Sequence, residues 1–316
     1  MNALTLPATR SSIAIRAITL KISAIVMFQV MAALVKALGD DYPVGQLIFA
    51  RSAFALIPLA VLIYADGGLK ILATAKPRAH LGRTVAGMCA MVCGFTALSL
   101  IPFANAVAIG FAATLFTTVL ATLLLGEKLR IYRISAVVVG FVGVVVMLSR
   151  ALQFDQGSAM FWGSTLALAG SLFVAFATIS IRHLAHSEPP AAIIFYFTAA
   201  CTIAGALTLP FAYRVPDALD ALLLVAIGIF GGFGQILMTN AYRLGQANLL
   251  APFDYTAMVF AVLIGLVIFG EMPTVTVLAG SAIVIAAGLF IFERERRLGL
   301  RRGAARARGV APGTAR

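Results

Sequence analysis

Long apolar runs recur along this chain and limit what it can fold into. A bilayer core about 30 Å thick is crossed by a helix of roughly 20 apolar residues, within a range near 17–25. The sequence contains ten runs of this kind. They lie at about 17–38, 44–64, 81–101, 103–125, 131–149, 160–181, 190–212, 218–240, 248–269 and 274–292. We therefore predict an all-α polytopic membrane protein with ten transmembrane helices.

The overall composition excludes an ordinary soluble fold. Hydrophobic residues make up 61% of the chain and charged residues 11%, whereas soluble domains contain about 45–50% and 25%. A soluble globule cannot bury that much apolar surface, because even large domains leave much of their area in contact with water. The segments between the runs are short, so we expect no soluble domain between helices.

The cations of the chain follow membrane topology. A net charge of +12 would suit a nucleic-acid partner, but twenty of the 24 Lys and Arg residues fall in one set of alternate loops together with the two termini. The opposite set of loops holds only Arg150 and Arg214. Because cytoplasmic loops carry the excess of Lys and Arg, we predict a multi-pass protein of the cell inner membrane with both termini cytoplasmic. No nucleic-acid partner is expected.

An internal repeat divides the chain into two halves. Gly126–Glu127 and Gly270–Glu271 lie 144 residues apart, and each pair closes the fourth span of a group of five. Because five is odd, the second group is predicted to cross the membrane upside down, an arrangement typical of secondary transporters. The predicted units are residues 1–149, residues 150–292, and a disordered polybasic tail at 293–316 that lies near anionic lipid headgroups.

Four sequence segments carry a resemblance to a known family. These segments are LLLGEK and VIFGEM at the repeated Gly-Glu pairs, VGQLIFARSAFALIPL in the second span, and ALSLIPFANAVAI leading into the fourth. The chain resembles the drug/metabolite transporter superfamily in its ten-helix EamA branch, and its second span is similar to the riboflavin-transporter branch. The resemblance implies import or export of small metabolites without ATP hydrolysis. We expect no cofactor. Many family members have a proline thirteen residues before each glutamate, where this chain has Thr114 and Met258.

Two charged residues inside spans are the first candidates for a transport site, because ionisable groups in a membrane are costly. Asp254 is predicted about 9 Å deep, two residues after Pro252, at the usual helical rise. It could bind a cationic group or exchange a proton, or be a solvated carboxylate or a partner of Arg243. Arg51, near 10 Å deep, could hold an anionic part of a substrate, clamp a gate, or pair with loop acids or helix carbonyls. No direct bridge between Arg51 and Asp254 is expected.

The other candidates are polar, aromatic or small residues within spans or at their ends. The two amides could orient a ligand or join helices, and the two aromatic residues could line a cavity or face lipid. The two glutamates are expected to bond to turns or to gate, and the two glycines to mark a close helix contact or a sliding surface. These residues are Gln29, Gln235, Phe253, Tyr255, Glu127, Glu271, Gly228 and Gly232.

The function predicted from the sequence is secondary active transport of a small organic metabolite by alternating access. Riboflavin uptake is the leading cargo, and export of amino acids or related metabolites is the alternative. A non-transporting membrane scaffold and a membrane-embedded enzyme are alternatives of another class. The three histidines form no catalytic or metal cluster, and no phosphate-binding loop is present, so we expect neither an enzyme nor an ATP-driven pump. The sequence leaves a monomer and a homodimer equally open.

Overall fold

The computed structural model describes residues 6–125, 131–149, 158–185, 187–245 and 247–307. Within these ranges the chain is helical and has no strand. Two short 3₁₀ segments, Gly68–Leu72 and Ala251–Tyr255, accompany the α-helices. The helices are α1 (Leu6–Leu38), α2 (Val44–Ala65), α3 (Pro77–Leu100), α4 (Phe103–Gly110), α5 (Ala112–Leu125), α6 (Ile131–Leu148), α7 (Ala159–Ala185), α8 (Pro190–Thr208), α9 (Ala218–Leu244), α10 (Ala247–Leu250), α11 (Thr256–Phe269) and α12 (Val275–Ala307).

The helices form the passes that the apolar runs predict. In the part of the chain that the structure describes, nine helical stretches are long and apolar enough to cross a membrane, and α6 contains a shorter apolar helix. The fourth of these stretches joins α4 and α5, and the eighth joins the second 3₁₀ segment to α11; with α6 counted as the fifth pass, the latter is the ninth pass. The all-α polytopic fold is confirmed. Helices satisfy their own backbone hydrogen bonds, which lipid cannot do.

Helix contacts reflect the two halves of the sequence. α1, the first pass of the first half, packs along α9, the third pass of the second half. α3, the third pass of the first half, packs along α7, the first pass of the second half. α2 packs against α8, and α6 against α12, each pair joining equivalent passes of the two halves. This reciprocal pattern is what an inverted repeat requires.

The fourth and ninth passes are both interrupted near the same repeat position. α4 ends at Gly110 and α5 begins at Ala112, with Phe111 at the break. In the second half the 3₁₀ segment ends at Tyr255, which is 144 residues after Phe111. The two rings contact each other edge to face, with centroids 5.5 Å apart. The interruption therefore occurs without a proline at 114 or 258, although Pro252, which lacks an N–H donor, lies in the second 3₁₀ segment.

Gly228 and Gly232 lie where α9 meets α2. A Cβ atom at Gly228 would stand 2.7 Å from the carbonyl oxygen of Ala50, and one at Gly232 would stand 2.7 Å from Cγ of Pro58. Both distances are too short for a side chain, so the two backbones approach closely only because these positions are glycine. A sliding role for this surface stays a prediction.

α12 extends beyond the membrane span into the segment predicted as a disordered tail. It is helical through Ala307, because the arginine, glutamate, leucine and alanine residues there favour helix. Within 293–307, helix therefore replaces the predicted disorder. Residues 308–316 lie outside the described residues.

Candidate functional site

A cavity of about 590 Å³ lies between the two halves of the bundle. Its wall includes residues of α1 to α5 from the first half and of α7, α8, α9, α11 and α12 from the second. It extends from Met31 and Phe95 to Arg182 and Phe292 at the end of the bundle where α7 ends, which we call the terminal face. Ligand pockets in proteins measure about 300–1,000 Å³, so the space suits a small organic molecule.

Asp254 lies in the 3₁₀ segment before α11 and forms an ion pair inside this cavity. Its Oδ1 atom is 2.6 Å from Nζ of Lys21, and the Asp254 side chain is 33% exposed. Lys21 is 1% exposed and also donates a hydrogen bond to the Tyr242 hydroxyl at 3.1 Å. Lys21 was counted among the twenty cations of the cytoplasmic loops and termini, but it lies well inside the bundle, because α1 begins at Leu6. The partner of Asp254 is Lys21 and not Arg243.

Two arginines are buried in the wall of the same cavity. Arg51 is 4% and Arg83 is 3% exposed, and their guanidinium carbons lie 5.3 Å and 4.0 Å from the ring centroid of Phe197. Gly231 and Gly87, which are 144 residues apart, make room for them. A Cβ atom at Gly231 would stand 3.2 Å from Nε of Arg51, and one at Gly87 would take the place of Nη1 of Arg83.

Several buried N–H donors of Arg51 and Arg83 form no hydrogen bond within the described residues. Nη1 of Arg51 and both Nε and Nη1 of Arg83 have no hydrogen-bond partner among the described residues. The described cavity wall contains four cations but only one carboxylate, Asp254, which is already paired with Lys21. The cavity is therefore positively charged around Phe197.

The other predicted site residues divide between the cavity wall and its surroundings. Gln29 and Gln235 line the cavity and are each 7% exposed, and Gln29 Nε2 donates to the carbonyl oxygen of Ala257 at 2.8 Å. Tyr255 also lines the cavity. Phe253 lies outside the described wall, whereas Asp254 and Tyr255, which follow it in the 3₁₀ segment, reach the cavity.

The opposite face of the bundle is joined by a cluster around Glu271. Its Oε1 atom is 3.0 Å from Nζ of Lys36, and its Oε2 atom accepts a hydrogen bond of 2.7 Å from the backbone N–H of Phe103 at the start of α4. Lys36 also donates to the carbonyl oxygens of Ile101 and Leu98 at 3.0 Å and 3.3 Å. This Lys36–Glu271 cluster connects the end of α1, the α3–α4 turn and the α11–α12 turn.

More contacts close the same face around Arg214. Gln46 exchanges two hydrogen bonds with the backbone of Arg214, at 2.8 Å and 3.0 Å. The Arg214 guanidinium pairs with Asp41 at 2.6 Å. The Tyr42 hydroxyl donates to Oδ2 of Asp220 at 2.6 Å, and this hydrogen bond to a carboxylate raises the pKa of Tyr42 to about 12. None of these residues lines the cavity as described.

Comparison with known proteins identifies the family. The model of the EamA-like transporter family matches residues 15–149 and again residues 161–293. The chain belongs to the EamA-like transporter family. The resemblance to the drug/metabolite transporter superfamily is thereby confirmed, and the protein is a multi-pass membrane transporter of metabolites, not an enzyme.

Similar transporters have several different cargoes. The chain is 29% identical to the pseudopaline exporter CntI of Pseudomonas aeruginosa (strain UCBPP-PA14), over 85% of this chain and 93% of that protein. It is 28% identical to the S-adenosylmethionine uptake transporter of Rickettsia prowazekii (strain Madrid E), over 79% and 82%. It is 27% identical to the riboflavin transporter of Rhizobium johnstonii, over 73% and 75%. A solved crystal structure shares the fold at a TM-score of 0.66 and 21% identity, over 89% of this chain and 98% of that one.

Two buried cations of the cavity wall were not among the site residues predicted from the sequence. Lys21 and Arg83 were counted among the twenty cations of the cytoplasmic loops and termini, although each lies just inside the start of a predicted span. Helical spacing could have indicated both residues. Lys21 is seven residues before Phe28 and Arg83 is four residues before Gly87, so the members of each pair share a helix face. All four residues line the cavity. Glu127, the repeat equivalent of Glu271, lies outside the described residues.

Proposed function

We propose that this chain is a secondary active transporter that carries a small organic metabolite across the cytoplasmic membrane by alternating access. The observation that carries the proposal is the cavity between the two halves, whose described wall extends towards the terminal face and stops short of the Lys36–Glu271 cluster. Inverted repeats typically place a substrate site at the interface between the halves. The opposite-face contacts then represent the closed side of one state, with both termini in the cytoplasm.

Two cargoes are proposed. Riboflavin uptake is supported by the similar riboflavin transporter and by the aromatic side chains Phe28, Phe95, Phe111 and Phe197 in the cavity wall, which can stack against a planar ring. Export of amino acids or related metabolites is supported by a similar exporter and by the cations of the cavity. The coupling gradient decides the direction of net transport.

Asp254 is proposed to act in coupling or binding at the terminal face. It is partly exposed and pairs with Lys21 within the cavity, so gain of a proton or arrival of a cationic group would release Lys21. Gln29, Gln235 and Tyr255 are proposed to contact the cargo from the cavity wall.

Reconstituted vesicles test the transport function. Vesicles containing the purified protein and loaded with unlabelled riboflavin or amino acids should take up labelled solute by counterflow, and empty vesicles should not. A membrane scaffold or an enzyme would give no exchange with any solute. Growth of a riboflavin-auxotrophic host at low riboflavin tests the leading cargo, and absence of growth rescue removes it.

Thiol labelling in intact cells tests the proposed orientation. With Glu127→Cys and Glu271→Cys in separate cysteine-free backgrounds, a membrane-impermeant reagent added outside should label position 271 and not 127. Labelling of both positions from one side would overturn the inverted arrangement.

A further inference from the structure

Two buried guanidinium groups without sufficient partners are costly in the ligand-free protein. An ion removed from water carries a large desolvation penalty unless it is paired and hydrogen-bonded. Contact with the Phe197 ring compensates part of this penalty through cation–π attraction. It leaves the N–H donors of Arg51 and Arg83 unsatisfied, since an aromatic face accepts no ordinary hydrogen bond from them.

The surroundings of the two arginines add a second cost. Both lie against one ring, so two like charges are held close together in a low-dielectric interior. In the described part of the chain neither forms an ion pair with a carboxylate, because Asp254, the single acid in the cavity wall, is paired with Lys21. An anion in the cavity beside the arginines would reduce the repulsion and accept hydrogen bonds from the free donors.

We propose that Arg51 and Arg83, packed on Phe197, bind the acidic oxyanion group of a small organic cargo. The inference rests on the proposed transport function and names its substrate class. Planar guanidinium groups match carboxylate and phosphate oxygens through paired N–H donors. Riboflavin has no acid group and would leave both guanidinium groups without a counter-ion, so the site favours acid-bearing metabolites over the neutral vitamin.

Ligand pairs that differ in the acid group test this assignment. Thermal unfolding of the purified protein is measured with N-acetylalanine and N-acetylalaninamide, and with riboflavin 5′-phosphate and riboflavin. The acidic member of at least one pair should raise the unfolding midpoint and its neutral partner should not, because binding to the folded state stabilises it. No acid-dependent shift in either pair would overturn the proposal. Equal stabilisation by inorganic phosphate alone would overturn the organic cargo.

Substitutions separate a binding role from a structural one. Arg83→Gln and Arg51→Gln should lose the acid-dependent shift, while the unliganded midpoint should rise because an uncompensated buried charge has been removed. Arg214→Gln changes an exposed arginine outside the cavity and should keep the acid response. A lower unliganded midpoint with a retained acid response would show that the two arginines are structural, and would overturn the proposal.

A conservative variant and a transport assay complete the experiment. Arg83→Lys keeps the charge and loses the planar fork, so its acid response should be weaker than that of the parent but present; a response equal to the parent's would contradict the paired geometry. If vesicles show no counterflow while the acid shift persists and requires Arg83, the transport proposal fails and the anion site stands. If vesicles show counterflow of neutral solutes only and the acid-dependent shift is absent, the anion site fails and the transport proposal stands.

Discussion

Replacement of Glu271 by alanine should open the closed face of the transporter. Glu271→Ala removes the ion pair with Lys36 and the hydrogen bond to the N–H of Phe103. Hydrogen bonds to charged groups contribute about 1.5–3 kcal/mol each. The Lys36 and Glu271 side chains are 13% and 25% exposed, so we take the lower part of that range, about 3 kcal/mol for the two contacts together. At 1.4 kcal/mol per factor of ten, the ratio of open to closed conformations at this face should rise roughly 100-fold.

A thiol at the inner end of the cavity reports this opening. Cys89, Cys93 and Cys201 are first replaced, and Met31→Cys is introduced at a cavity-lining position that is 9% exposed. An impermeant thiol reagent applied at the opposite face should label this thiol much faster in Glu271→Ala than in the parent.

The neighbouring acid Asp41 provides the control. Asp41 and Arg214 form an ion pair on the same face, but both side chains are 55% exposed, and pairs of this kind contribute little to stability. Asp41→Ala should therefore leave the labelling rate near that of the parent. If Glu271→Ala folds normally and labels no faster than Asp41→Ala, the cluster does not hold this face closed and the reasoning is refuted.

Three other substitutions test separate features. Asp254→Asn should weaken transport driven by a pH gradient yet spare counterflow at equal pH; wild-type rates in both assays would make the carboxylate a bystander. Gly232→Val should destabilise the α2–α9 contact by about 1–3 kcal/mol, seen as a lower thermal midpoint, whereas Gly82→Val meets open space and should have little effect. Gly87→Ala should displace the Arg83 guanidinium and reduce the acid-dependent thermal shift without removing a charge; an unchanged shift would contradict the packing.

The architecture is predictable from the sequence because the lipid solvent restricts the choices. A run of about 20 apolar residues in a bilayer has to be a helix, since no water is available to satisfy the backbone. The 144-residue repeat then fixes the relation between the halves, as the equivalent breaks at Phe111 and Tyr255 show. Neither inference needs knowledge of tertiary contacts.

The electrostatics of the cavity are less predictable because they depend on where each span begins. Lys21 and Arg83 lie only four and two residues after the predicted span starts at 17 and 81, whereas the helices begin at Leu6 and Pro77 and both side chains are buried. Apolar runs locate spans but do not show which charged residue at a boundary turns inward. The stacking of Arg51 on Phe197 joins α2 to α8 across 146 positions, and no local pattern reports such a contact.

The site combines a symmetric scaffold with an asymmetric distribution of charge. α2 begins directly after Pro43 and α8 directly after Pro189, which lie 146 residues apart. The same interval separates Arg51 from Phe197, so these residues occupy equivalent positions in the two halves and meet between them. In this chain one half supplies the cation and the other supplies the ring on which it rests. A substitution at Arg51 would change the charge of the cavity, which is a direct way for one scaffold to serve transporters with different cargoes.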